Sequence, residues 1–197
     1  LVAGFADPAM NPGNIFDGFE IVEIIGEGGS GAVYLAWDRD LDRKVALKVG
    51  RQGADEARIL GRLDHDHIVS VYSHHNGHVG ASAQQAICMQ FIDGADLGRL
   101  LASSRRGDSF ASDFFETLDR ERRSPLPFDP AGARFRADRE KEDRFGLMLA
   151  VAQRMAEAVS YAHDRDVLHL DLKPANIMVD GYGRPKMTDF NLSLIHI

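Results

Sequence analysis

The run Val167-Leu168-His169-Leu170-Asp171-Leu172-Lys173-Pro174-Ala175-Asn176-Ile177-Met178, with Asp189-Phe190 following it, constrains this chain more than any other feature. It sets a carboxylate, an ammonium and a carboxamide at fixed short offsets, and Asp189 adds a second carboxylate downstream. Residues 177–179 and 186–188 predict two short strands flanking the turn Asp180-Gly181-Tyr182-Gly183. Within this set Asp171 can accept the proton of an attacking hydroxyl, and Lys173 can neutralise charge on a transferring phosphoryl group. Asn176 and Asp189 offer oxygens to a hard divalent cation; Mg²⁺ suits such a set, with Mn²⁺ as the alternative.

Two further motifs lie upstream. Gly26-Glu27-Gly28-Gly29-Ser30-Gly31-Ala32-Val33 fits G-x-G-x-x-G-x-V, a spacing shared by dinucleotide-binding folds and by ordinary glycine-rich hairpins. A dinucleotide fingerprint opens a helix, whereas Ala32-Val33-Tyr34-Leu35-Ala36-Trp37 reads as strand. A glycine hairpin between two strands can lie over a nucleotide with its N–H groups facing the phosphates. Lys48, on the strand Val45–Val49, would point its ammonium at those phosphates, and Glu56 on the next helix is the candidate carboxylate to fix it. Taken singly, either residue could equally be an ordinary surface charge.

Taken together, in this order, the motifs resemble those of the eukaryotic-type (Hanks-type) protein serine/threonine kinases, and of bacterial members in particular. The resemblance covers roughly residues 19–102 and 145–191 and implies an α+β, protein-kinase-like fold. It implies an N-lobe at 19–92, an antiparallel five-stranded sheet plus helix C, and the start of a helical C-lobe at 93–191. Nucleotide is expected between the lobes. By resemblance, Gly26, Gly28 and Gly31 cover the phosphates of ATP, and Lys48 and Glu56 form the strand–helix ion pair. Asp171 and Lys173 belong to the catalytic loop, and Asn176 and Asp189 bind metal. Met89 matches the gatekeeper, and main-chain groups at Gln90–Ile92 are expected at the adenine edge. Asp96 is expected at the ribose, with Val33, Ala46 and Met178 around the base. Leu60, Val71, His169 and Phe190 match a stacked hydrophobic column, which makes His169 a packing residue. Lys173-Pro174 favours Ser/Thr over Tyr specificity, and Asp171-Leu172-Lys173-Pro174 disfavours small-molecule kinases of related fold.

Three departures qualify the match. Leu170 replaces the Arg that commonly receives a phosphorylated activation loop, and Asn191 replaces a Gly after Asp189-Phe190. The Lys48–Glu56 separation is short for the family. These departures leave a pseudokinase or ATP-binding scaffold as the competing reading.

The rest of the chain predicts a helix over 54–63 and strands at 68–72 and 86–92, with Ser73–Gln85 as a polar connection. A helix begins at Asp96–Leu101. Another runs from Phe145 to Arg165, with Met148, Val151, Ala152, Met155, Val159 and Ala162 on one side. Residues 1–18 carry Asp7-Pro8, Asn11-Pro12-Gly13 and Asp17-Gly18 and read as a loose leader. Residues 103–143 mix charges with Pro125, Pro127 and Pro130, and read as a solvated insertion, mobile or partly helical, or as a docking site. The tail 192–197, Leu-Ser-Leu-Ile-His-Ile, matches one translated frame of a common sequencing adapter. A fragment ending there is expected to be inactive alone.

Composition removes other classes. Lys and Arg number 23 against 30 Asp and Glu, a net charge of −7, which gives nucleic-acid binding no electrostatic support. Cys88 is the single cysteine, so no intrachain disulfide can form, and a reducing, cytoplasmic compartment is the simpler reading. No apolar run reaches the roughly 20 residues a bilayer span needs, although the parent protein could carry one elsewhere. Zinc binding by His65, His67, His74, His75 and His78 is an alternative without a completing cysteine or carboxylate framework. The expected partners are ATP and protein substrates bearing Ser or Thr hydroxyls.

Overall fold

The alternation that begins at Phe19 builds a sheet in the computed structural model, which describes residues 10–28, 31–50, 54–79, 82–104 and 110–190. The chain divides into two compact units, one formed by 1–63 with 70–91 and the other by 64–69 with 92–197. The first unit holds β1 (Ile15–Phe16), β2 (Phe19–Gly28), β3 (Gly31–Asp38), β4 (Arg43–Gly50), α1 (Ala54–Leu60), β5 (Val71–Val79) and β6 (Ser82–Gln90). These strands form one sheet in the order β1-β2-β3-β4-β6-β5, with antiparallel pairing throughout.

The sheet therefore has six strands where five were expected. The sixth comes from the leader: β1 pairs with β2 through Ile15↔Glu20 and Phe16↔Phe19. Asp17 and Gly18, both at positive φ, make the tight reversal between them. Phe16 is buried, and a Cβ on Gly77 would stand 2.7 Å from its ring, so only glycine allows that approach. Met10, Phe16, Phe19, Ile21, Tyr34, Ala36, Val45, Leu47, Val49, Ala86 and Cys88 form one buried cluster. Burial pushes the Cys88 thiol up to about 11, which suits packing and not reactivity.

A second difference concerns Ser73–Gln85, which is not a connection. It supplies most of β5 and the start of β6, and Ser73, His74, His75 and Asn76 pair with Cys88, Ile87, Ala86 and Gln85. Backbone pairing to a buried neighbour outweighs a composition of low strand propensity. The helix expected over 54–63 ends at Leu60, and Gly61 N–H still donates to Ala57 O at 2.9 Å.

The second unit contains β7 (Gly94–Asp96), α2 (Leu97–Ser103), α3 (Phe110–Glu121), α4 (Pro130–Arg139), α5 (Arg144–His163), a 3-10 turn (Pro174–Asn176), β8 (Ile177–Asp180) and β9 (Pro185–Met187). Strands β7, β8 and β9 form a small antiparallel sheet in that order. Asp96, Asp129 and Asp143 cap the N-termini of α2, α4 and α5 by accepting from Arg99, Gly132 and Gly146 N–H. Pro130 at the first turn of α4 loses no helical hydrogen bond. On α5 the buried face is Leu147, Ala150, Val151, Met155, Ala158 and Ala162, whereas Ala152 is exposed. The stripe is turned slightly from the expected one.

The insertion at 103–143 also departs from expectation. Its described part is partly helical, as one expected reading had it, but it also builds core: Phe110, Ala111, Phe114, Phe115 and Leu118 of α3 are all buried. Their spacing of one, four, five and eight from Phe110 is the signature of an amphipathic helix, masked by the flanking prolines and charges. Among the described residues no helix is long and apolar enough to cross a membrane. Asn191, the tail 192–197, Gly29, Ser30 and Arg105 to Gly107 lie outside the described residues.

Candidate active site

Pairing register decides which side chains of the first unit share a surface. Val33 is the partner of Lys48 and Ala46 the partner of Met89, and residues 46 and 48 lie two apart on β4. Val33, Ala46, Lys48 and Met89 therefore line one face of the sheet. The buried cluster around Val45, Leu47 and Val49 occupies the other. On the first face Lys48 Nζ donates to Glu56 Oε1 at 2.8 Å, with side-chain exposures of only 9 and 16%. The eight-residue separation is thus long enough for the carboxylate to reach the ammonium, because α1 begins soon after β4 ends.

The three glycines differ in what holds them. Gly31 has φ +130, and a Cβ there would lie 2.1 Å from Val49 O, so the fold itself demands glycine. At Gly28 a Cβ would meet nothing within 4 Å, and at Gly26 only Val33 at 3.8 Å. The protein's own packing does not explain those two. Gln90 N–H donates to Ser70 O at 2.8 Å, which anchors the end of β6.

In the second unit the loop before β8 draws its polar groups together. Lys173 Nζ donates to Asp171 Oδ2 at 2.6 Å, and Asn176 Nδ2 donates to Asp171 O at 2.9 Å and Oδ2 at 3.1 Å. The Lys173 ammonium, and then the Asn176 amide, hold the Asp171 carboxyl below the usual carboxylate range. Asn176 is buried, while Asp171 and Lys173 remain partly open to solvent.

Asp189 is tied to this loop through its neighbours. Thr188 N–H donates to Asn176 O at 2.9 Å, and Thr188 Oγ1 donates to the same oxygen at 3.2 Å. The His169 ring is buried, with Nε2 2.9 Å from Thr188 O and its centroid 4.5 Å from that of Phe190. His169 is thereby occupied as a packing and hydrogen-bonding residue. Thr188 escaped the sequence reading, because a lone Thr before Asp-Phe carries no motif. Leu170 and Asp189 both sit at positive φ, 59° and 53°. For a leucine that conformation is an outlier, and its side chain is 51% exposed.

Asp96 serves first as the cap of α2, with Oδ1 accepting from Arg99 N–H at 2.9 Å. Its Cα partner is Met178, and Ile92 is buried just before β7. Three of the histidines, His65, His67 and His75, have other engagements. His65 lies against His67 and Tyr161, His67 Nδ1 donates to Pro185 O, and His75 bridges Ser73 and Asp17. Among the described residues no group of three or more His, Cys, Asp or Glu could hold a metal ion.

Comparison with known proteins gives a consistent picture. The family model described as protein tyrosine and serine/threonine kinase matches residues 19–196. Among similar curated proteins is serine/threonine-protein kinase PknD of Protochlamydia amoebophila, 27% identical over 90% of this chain and 16% of its own length. PrkC of Bacillus subtilis is 27% identical over 89% of this chain and 22% of its length, and PknK of Mycobacterium tuberculosis 33% over 90% and 13%. The chain thus spans less than a third of these relatives. The crystal structure of the M. tuberculosis PknI kinase domain superposes with a TM-score of 0.59 at 28% identity, covering 92% of this chain and 61% of that one.

Proposed function

The chain belongs to the protein tyrosine and serine/threonine kinase family, and we propose that its protein transfers the γ-phosphoryl group of ATP to Ser or Thr hydroxyls of other proteins. The observation that carries this reading is the loop in which Asp171, Lys173 and Asn176 bond to one another within 2.6–3.1 Å. With Oδ2 held by Lys173 and Asn176, Oδ1 of Asp171 is left to accept the substrate hydroxyl. The depressed pKa keeps that carboxylate ionised, so it orients the nucleophile and takes its proton as the new bond forms. The hydroxyl oxygen bonds to the γ-phosphorus, the bond to the β-phosphate oxygen breaks, and ADP leaves.

Lys48, steadied by Glu56, grips phosphate oxygens, and Gly26 and Gly28 admit the nucleotide without a side chain in the way. Main-chain groups at Gln90–Ile92 read the adenine edge, Val33, Ala46, Met89 and Met178 pack on the base, and Asp96 meets the ribose. Asn176, whose Nδ2 is committed to Asp171, offers Oδ1 to a divalent cation, and Asp189 offers its carboxylate. Their hard oxygen donors fit Mg²⁺, or Mn²⁺ in its place, which would neutralise phosphate charge. Residues 19–92 serve as the N-lobe and 93–191 as the start of the C-lobe. A single buried thiol suits a cytoplasmic setting.

The test is Asp171→Asn in the full-length protein, assayed for transfer of labelled γ-phosphate and for ATP binding. Loss of transfer with ATP binding retained supports the enzyme. Transfer at the parent rate overturns it. A parent that binds ATP and never transfers phosphate would make the protein the scaffold that Leu170 and Asn191 suggest.

A further inference from the structure

We propose that Arg136, on α4 of the insertion, is a positioning residue for phosphoryl transfer: it pins the far end of the β8–β9 hairpin, whose near end carries Asn176 and Asp189. The inference rests on the metal-binding role assigned above to those two residues. β8 starts directly after Asn176, and β9 ends two residues before Asp189. The near end is tied by the two Thr188 bonds to Asn176 O. The far end is the turn at 180–184; Asp180 pairs with Gly94 of β7, and the insertion packs on the rest of the turn.

Arg136 meets three parts of the unit at once. Its guanidinium is bidentate to Asp119 of α3, at 2.7 Å for each bond, and Nη1 also donates to Gly181 O at 3.0 Å. Nε binds Glu140 at 2.7 Å, and the guanidinium lies 4.9 Å from the centre of the Phe115 ring. Only a planar fork of five donors can serve these partners together. Its side chain is mostly buried, and its bonds hold Asp119 below the usual carboxylate range. Around it, Arg184 bridges Asp129 and Asp180 at 2.7 Å each, and Tyr182 O–H donates to Pro127 O. The fit is close. A Cβ on Gly181 would lie 2.4 Å from Leu126 Cδ2 and 2.5 Å from Arg122 Cδ, and one on Gly183 would lie 2.8 Å from the Phe115 ring.

β8 is braced by β7 at Gly94–Asp96, and Met187 of β9 accepts from Val69 N–H and donates to His67 O, so the play left to the hairpin lies in its turn. If the turn is released, the legs sample a wider range of twists, and the separation of Asn176 from Asp189 broadens. Asn176 and Asp189, which would hold the cation, must then be drawn from that wider range into place on binding, which weakens their affinity for it. Groups one layer behind metal ligands typically tune affinity by about 10–100-fold. Arg136 acts at the other end of the ribbon, so the lower limit is the expectation. Of the ATP contacts, those of Lys48, Val33, Ala46 and Met89 lie on the first sheet and do not pass through the hairpin; only Met178 does.

The experiment titrates Mg²⁺ into the full-length protein with a non-hydrolysable ATP analogue, comparing parent, Arg136→Ala and Arg136→Lys. The Mg²⁺ concentration for half-maximal analogue binding should rise about 10-fold in Arg136→Ala. Arg136→Lys should recover only part of that loss, and analogue binding without metal should be unchanged. A lower melting temperature with the parent's Mg²⁺ midpoint would reduce the contact to a structural one and overturn the proposal. If Arg136→Ala does not fold, Tyr182→Phe removes only the hydroxyl bond from the same turn. It should raise the midpoint about twofold, a smaller share of the same effect, and an unmoved midpoint overturns the proposal. Failure of the functional reading is distinct: the parent itself would bind no analogue at any Mg²⁺ concentration, and both readings would fall.

Discussion

Phe114→Ala asks whether the insertion is core or ornament. Phe114 is completely buried on α3, its ring 5.4 Å from Phe115 in an edge-on contact and 6.3 Å from Phe110. An aromatic side chain of this kind buries at least about 150 Å², which at about 25 cal/mol per Å² is worth about 4 kcal/mol. Loss of the edge contact adds about 0.5–1.5 kcal/mol, while the Cβ that Ala keeps subtracts a comparable amount. The net falls within the usual range of about 3–5 kcal/mol for Phe→Ala in a core. Domains are stable by only about 5–15 kcal/mol, so much of the stability of this unit should disappear. With a urea m-value of about 2 kcal/mol per molar, the midpoint should fall by about 1.5–2.5 M. Phe128→Ala is the internal control, because that ring is 96% exposed in the same insertion and its loss should cost under about 0.5 kcal/mol. Urea unfolding followed by far-UV circular dichroism measures both. Equal, small shifts in the two variants would refute the assignment of α3 to the core.

The glycines should separate stability from binding. Gly31→Ala must displace Val49 O and should destabilise by more than about 1–3 kcal/mol in thermal unfolding, whereas Gly28→Ala should leave the melting temperature alone and weaken ATP binding in calorimetry. His67 is held below its ordinary value by burial, against the bond from its Nδ1 to Pro185 O. The unfolded chain therefore takes up the proton first, so this residue's stabilisation is complete above about pH 6.5 and declines as the pH falls through that value toward the folded one. Urea midpoints at pH 7.5 and 5.5 should diverge less in His67→Asn than in the parent, and equal divergence would contradict the burial argument. Lys173→Met removes the first cause of the depressed Asp171 pKa, which should move up toward about 3.9 in carbon-13 titration of the carboxyl; an unmoved value would mean the ion pair does not form in solution.

Chemistry was more legible than architecture. Asp171, Lys173 and Asn176 announce themselves because their offsets are fixed by one loop, and Lys48 and Glu56 because a strand and the next helix bring them face to face. The misses share a cause. β5 reads as polar, yet pairs with β6 because a neighbouring backbone offers partners and a bulge near Ser73 sets the register. β1 is only two residues long, within a stretch full of turn signals, and is held by Phe16 over Gly77. In the insertion, Pro125, Pro127, Pro130 and the charged clusters spoke louder than the helical stripe of Phe110, Phe114 and Leu118. Asp119, Arg122, Arg136 and Arg184 could not be found as a network, because partners 17 and 55 residues apart leave no local pattern.

The polar character of β5 has one more effect. It is the terminal strand of its sheet, and an outermost strand offers a row of backbone donors and acceptors to any other chain that can align with it. Asn76 and His78, both exposed, make that rim a poor template, since a chain docking there would have to strip water from an amide and an imidazole. The residues that hide the strand from a reader of the sequence also guard the protein against misassembly by edge-to-edge stacking.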